Sequence, residues 1–112
     1  MDKFTTVKIE IYAPENAVSA IKNAAHSIGA GSSELYDKTA TEIICKGFWR
    51  SLDKAKPYIG ETNKLTSSKE IKIEIQCTRG IVSEVISAIK KAHPYEVPVI
   101  NIIPLANHLF SN

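Results

Sequence analysis

Two stretches of the chain alternate apolar and polar residues in almost the same letters. Residues 7–11 read VKIEI and residues 71–75 read IKIEI. Val7, Ile9 and Ile11, or Ile71, Ile73 and Ile75, fall on one side, with lysine and glutamate on the other. That period of two belongs to a half-buried strand. Each strand is followed by a change of period. Across 14–28, Val18, Ile21, Ala25 and Ile28 recur at helical spacing; Pro14 suits the first turn, Glu15 its positive dipole end, and Gly29 a C-terminal stop. Across 78–92, Val82, Val85, Ile86 and Ile89 form a second stripe, with Thr78 as candidate cap and Lys90 and Lys91 at the negative end. Pro94 pushes His93 out of the α region, so the helix ends there.

Each strand–helix unit needs a closing strand. Residues 39–52 place Ile43, Cys45, Gly47 and Trp49 against Ile44, Lys46, Phe48 and Arg50, and residues 95–105 are rich in β-branched side chains. The polar stretch 51–69 reads as a long connection between strands two and three. Right-handed crossovers then predict an α+β, ferredoxin-like βαββαβ fold: four antiparallel strands with both helices on one face. Strand four is apolar on both sides, with Tyr95, Val97, Val99 and Ile103 pointing one way and Glu96, Pro98, Ile100 and Ile102 the other. Its prolines place it at a sheet edge. A doubly apolar edge is a liability in a lone subunit, which predicts self-association.

At 112 residues the chain reads as one domain spanning 1–112. Fourteen basic residues against twelve acidic give a net charge of +2, and the lysines are scattered beside glutamates. No nucleic-acid partner is expected, because phosphate binding needs a clustered basic excess. No membrane partner is expected either. The longest apolar run, VPVINIIPLA, is too short to span a bilayer, and the opening residues lack the apolar core of a secretory signal. Cys45 and Cys77 form no CxxC pair, and free thiols fit a cytoplasmic protein.

The stretch AHPYEVP at 92–98 gathers an imidazole, a phenol and a carboxylate between two prolines. His93, Tyr95 and Glu96 are therefore candidate ligand-binding residues, as an acid–base pair or a ligand pocket. Neighbouring strand residues point to opposite faces, which argues against Tyr95 and Glu96 converging. A helix-end histidine also has a structural task in bonding free carbonyls. Trp49 with Phe48 and Arg50 forms a possible ligand platform. Lys64, with Lys54 and Lys56, offers positive charge on a loop long enough to be functional. The two thiols on neighbouring strands, with His26 or His108, are a possible metal set, although buried inert cysteines are the simpler reading. No GxSxG, Walker loop or GxGxxG is present, and GAGSS at 29–33 follows a helix, not a strand.

With these elements in place, the chain resembles two related groups. AHPYEVP is similar to the segment following the last core helix of CutA-type divalent-cation tolerance proteins. A broader likeness extends to the insertion domain of YqfO/YbgI-type proteins, the NGG-interacting-factor family. It takes in Gly29–Gly31, Tyr36, Phe48–Arg50, the run PYIGETNKL at 57–65, and the KIEI strand. The resemblance implies a PII/CutA-like fold that associates as trimers without a demonstrated reaction. The large domains bearing that family's two-metal site are not represented in these 112 residues. Where relatives tend to carry Tyr-x-His-Cys, this chain has Tyr36, Asp37, Lys38 and Thr39. Where they carry Gly-Thr-Gly, it has Cys45, Lys46 and Gly47, so a His-Cys ligand pair is missing. The expectation is a non-enzymatic, self-associating binding or regulatory module, without a cofactor or metal, whose partner is a small molecule or protein bound near 51–66 and 93–98. The alternative is a copper- or zinc-binding tolerance protein of CutA type.

Overall fold

The computed structural model describes residues 3–110. Its regular elements are β1 (Thr6–Ala13), α1 (Val18–Ile28), β2 (Thr41–Arg50), β3 (Leu65–Thr78), α2 (Val82–Ala92) and β4 (Ile100–Pro104). The strands form one antiparallel sheet in the order β2-β3-β1-β4. This is the α+β ferredoxin-like arrangement that the duplicated pattern predicts, and β4 is an edge strand. Opposite Ile9 lies Ile75 on one side and Ile102 on the other, so the isoleucines line up across three strands. Val7, Ile9, Ile11, Ile73, Ile75, Ile21, Val85 and Ile89 are fully buried between this face and the two helices. Each such side chain contributes on the order of 1.5–3 kcal/mol relative to exposure.

The open face carries the even-numbered partners. Lys8 reaches Glu10 and Glu74 at 3.5 Å each, and Lys72 reaches Glu74 at 3.3 Å and Glu10 at 3.9 Å. Two lysines and two glutamates thus neutralise one another across β1 and β3. Gly29 ends α1 with φ +115°, its N–H donating back to the carbonyls of Ala25 and His26. Gly31 is needed next: at φ +75° an added Cβ would sit 2.5 Å from the carbonyl oxygen of Thr39.

Three expectations are corrected. Thr78 makes no side-chain cap; a 3-10 turn, Arg79–Ile81, precedes α2, and the Arg79 guanidinium lies 4.1 Å from the centre of the Phe4 ring. The connection after β2 is shorter than 51–69, because LTSSK at 65–69 continues β3, pairing Leu65 with Arg50 and Lys69 with Lys46. β4 is likewise shorter: residues 95–99 lie outside the strand, since Pro94 and Pro98 cannot donate to the ladder. The long β2–β3 ribbon runs past the helices, which explains extents of 48 × 31 × 23 Å and a radius of gyration of 15.5 Å. A compact chain of this length has a value of about 13 Å. On the overhang Ile44, Phe48 and Leu65 are exposed, although Ile44 and Leu65 share the parity of buried Ile71. No helix among the described residues is long and apolar enough to cross a membrane.

Candidate functional site

The site begins with a glutamate on the open face of β3. Glu70 stands opposite Cys45 on β2, and Gly47 is two residues further along the same face. An added Cβ at Gly47 would meet Glu70 Cγ at 3.0 Å, so the missing side chain leaves room for the carboxylate to lie across the ribbon. Glu70 is 4% exposed, and burial pushes its carboxyl above the ordinary glutamate range, against the opposing pull of a hydrogen bond from Tyr95. The Tyr95 hydroxyl donates to Glu70 Oε1 and Oε2, both at 2.9 Å. Burial, then the bond to Glu70 and its charge, with a smaller contribution from Tyr58, push the phenol above its usual value.

Tyr95 is aimed at Glu70 by the end of α2. Residue 93 leaves the helix at φ −86°, ψ 130°, as Pro94 demands. The His93 ring is buried; Nε2–H donates to the Tyr12 carbonyl at 2.7 Å, and Nδ1 accepts the Tyr95 backbone N–H at 3.1 Å. Both nitrogens are used, which fixes the neutral Nε2–H tautomer. Burial holds the imidazole below its ordinary pKa, opposed by the Tyr12 carbonyl. The expected structural task is present but its partner differs: His93 satisfies a carbonyl of β1, not the last carbonyls of its own helix. It also packs against Tyr95 at a tilt of 53°, with ring centres 4.8 Å apart.

The connection 51–64 closes over this corner. Lys56 donates its backbone N–H to Glu96 Oε1 at 3.0 Å, and the Tyr58 ring lies 5.9 Å from Tyr95. Asn63 donates from its side chain to Asp53 at 2.6 Å and from its backbone to the Ser51 carbonyl, which holds the base of the loop. Trp49 of β2 approaches Tyr95 from the other side, with ring centres 6.4 Å apart. Between them is a cleft of about 350 Å³, walled by Tyr12, Trp49, Tyr58 and Tyr95, with Glu70 and Glu96 at its polar positions and Val97 and Val99 on its border.

Of the five residues singled out from the sequence, Tyr95 and Glu96 line this cleft together. The strand argument against their convergence fails because residues 95–99 lie outside β4. His93 stands behind Tyr95 as its support. Arg50 and Lys64 are not brought in. Arg50, opposite Leu65, falls on the other face of β2 from Trp49, and Lys64 is paired with Glu61 at 2.6 Å near the loop's end. Glu70 and Tyr12 are the residues that pattern reading missed. Extending the IKIEI alternation back by one position places Glu70 on the open face, opposite the small residues of β2.

The thiols do not approach each other. Cys45 faces the open side opposite Glu70, whereas Cys77 lies in the core opposite Val7, seven residues along β3, about 23 Å at strand rise. Burial pushes the Cys77 thiol up. Among the described residues no group of three or more His, Cys, Asp or Glu is placed to hold a metal ion. His26 is also bonded, through Nε2 to the Thr39 carbonyl at 3.1 Å.

Comparison with known proteins agrees with this architecture. A family model described as the CutA1 divalent ion tolerance protein matches residues 58–110. The GTP cyclohydrolase 1 type 2 homolog of Bacillus subtilis is 32% identical over 98 residues, covering 88% of this chain and 26% of the relative. The homolog from Listeria monocytogenes is 34% identical over 99 residues, with the same coverages. The chain thus spans about a quarter of the length of these curated relatives. Among solved structures, a NIF3-related protein of Bacillus cereus superposes with a TM-score of 0.78 at 22% identity, over 96% of this chain and 27% of that one. The periplasmic divalent cation tolerance protein CutA of Archaeoglobus fulgidus gives 0.66 at 19% identity, over 90% and 84%. The chain has the fold of the CutA proteins and is similar to a segment of the NIF3-related protein.

Proposed function

We propose that this chain is a non-enzymatic, self-associating binding module of PII/CutA type, whose ligand or partner enters the cleft where the 51–64 connection meets residues 93–99. The observation that carries the reading is that cleft: a chain connection bonded to Glu96 and a tyrosine locked onto a buried glutamate together wall a space open to solvent. The absence of a reaction is supported by how the reactive groups are used. His93 has both nitrogens engaged, Tyr95 and Glu70 are spent on each other, and the Cys45 thiol is directed at the Glu70 carbonyl. Reduced thiols at Cys45 and Cys77 support the cytoplasm as the place of work.

Self-association is supported by exposed apolar side chains in two segments that both reach the cleft. One is Ile44, Phe48 and Leu65 on the β2–β3 overhang; the other is Val97 and Val99 ahead of β4. Exposed apolar side chains in this number suit a contact with a second copy, and a head-to-tail contact of that kind closes into a ring. The form proposed is a trimer. Light scattering on the eluted protein tests it: the expected molar mass is three times that of the 12.3 kDa chain, and Leu65→Lys with Phe48→Ser lowers it. A monomer at every concentration overturns the assembly.

The matching CutA1 family model favours a second reading, divalent-metal binding. With the described thiols far apart, such a site would have to form between subunits. Copper titration, monitored for loss on Cys45→Ser, decides it, because Cys45 is the thiol outside the core.

A further inference from the structure

The walls of the cleft state what kind of group it takes. Trp49, Tyr58 and Tyr95 line it, and aromatic rings carry partial negative charge on their faces. Glu70, 4% exposed, and Glu96 add two carboxylates. Among the described residues neither has a lysine, arginine or histidine within ion-pair distance. Tyr95 O–H is spent on Glu70, the Lys56 N–H on Glu96 and both His93 nitrogens behind the ring, and among the described residues no lysine, arginine or histidine lines the cleft. A phosphate or carboxylate ligand would meet aromatic rings and two carboxylates, with no cationic side chain in the lining to balance its charge. A cation meets the opposite. A primary ammonium also demands three acceptors in exchange for its strong hydration, whereas a methylated ammonium is weakly hydrated and gains from aromatic faces.

We propose that the cleft takes a methylated ammonium group, seated against Trp49, Tyr58 and Tyr95 and countered by Glu70 and Glu96. This rests on the ligand-cleft reading above and names its ligand class. The volume of about 350 Å³ accommodates the methylated head with a short substituent. Tyr95 has two roles in this arrangement, as a wall and as the clamp that keeps the Glu70 carboxylate turned inward.

The test uses the whole chain at its native molar mass, titrated with tetramethylammonium, choline, ethanolamine and the uncharged neopentyl alcohol, with proton NMR of the ligand methyls. Expected are saturable binding of the first two and an upfield methyl shift from the rings. Binding of neopentyl alcohol and ethanolamine is expected to be weaker by about tenfold, the size of one desolvated cation–π contact. Glu70→Gln and Trp49→Leu each weaken choline by about tenfold, and the exposed Glu96→Gln by about threefold, with little effect on neopentyl alcohol. If Glu70→Gln fails to fold, Glu96→Gln and the uncharged probe decide the matter. Equal binding of choline and neopentyl alcohol overturns the cation assignment and leaves the ligand cleft standing. No binding of any probe at millimolar concentration also overturns the assignment, while the assembly is judged separately by molar mass.

Discussion

Replacing Tyr95 by phenylalanine removes one oxygen and keeps the ring. In the folded chain that oxygen donates to both carboxylate oxygens of Glu70 at 2.9 Å, and Glu70 is almost wholly buried. A hydrogen bond to a charged group is worth about 1.5–3 kcal/mol and one to a neutral group about 0.5–1.5 kcal/mol. The cost of Tyr95→Phe therefore depends on the protonation of Glu70. Burial raises the folded pKa of Glu70 above its ordinary 4.5. Glu70 thus favours the folded state fully below the unfolded pKa, and that contribution is lost as pH rises through the folded one. Without the Tyr95 donor the folded pKa rises further and the loss at high pH grows. The expected destabilisation is about 2 kcal/mol near pH 8 and about 1 kcal/mol near pH 4. Urea unfolding of both proteins, at one fixed protomer concentration, reads this difference directly. A destabilisation equal at the two pH values, or below about 0.5 kcal/mol at both, would refute the pairing.

His93→Gln is expected to cost about 2 kcal/mol or more, because two bonds of a buried ring are lost. The depressed pKa of His93 adds a pH signature: its stabilisation is present above the unfolded value of 6.5 and is lost as pH falls through the folded one. Thermal unfolding of the wild type should weaken on that acid side more steeply than His93→Gln; parallel profiles would contradict it. Gly47→Ala brings a Cβ to 3.0 Å from Glu70 Cγ, at a cost of about 1 kcal/mol. A double-mutant cycle with Glu70→Ala, which removes Cγ, should show coupling, and strict additivity would place the clash elsewhere. Gly31→Ala, at φ +75° and 2.5 Å from the Thr39 carbonyl, should destabilise by more than about 2 kcal/mol. A neutral result in urea would mean the turn is drawn wrongly.

The parts legible in the sequence are those where one residue period has one physical meaning. VKIEI and IKIEI predict β1 and the core half of β3 because a one-residue slip would turn Ile9 or Ile73 into water. Gly29 and His93 mark helix ends for steric reasons that need no tertiary context. LTSSK was not legible as strand: beyond the helices neither side of the ribbon is buried, so its alternation carries no apolar signal. Convergence of Tyr95 with Glu96 was hidden by treating 95–99 as strand, although two prolines remove that segment from the ladder. Glu70 escaped notice for another reason. A glutamate beside IKIEI looks like one more solvated charge until Gly47 and Tyr95 are brought to it from 23 and 25 residues away. Arg50 belongs to the aromatic run of β2 and Lys64 to a basic loop, but strand parity and an ion pair with Glu61 direct them elsewhere.

The claim that this module works as an assembly, joined through its exposed apolar segments, is tested most directly by amide hydrogen exchange followed over protein concentration. The account expects the segments around 44–48, 65–67 and 97–99 to be protected in concentrated solution and to lose protection on dilution, while β1 and the core half of β3 remain slow throughout. Exchange at those segments that is fast and unchanged across the whole concentration range would contradict it.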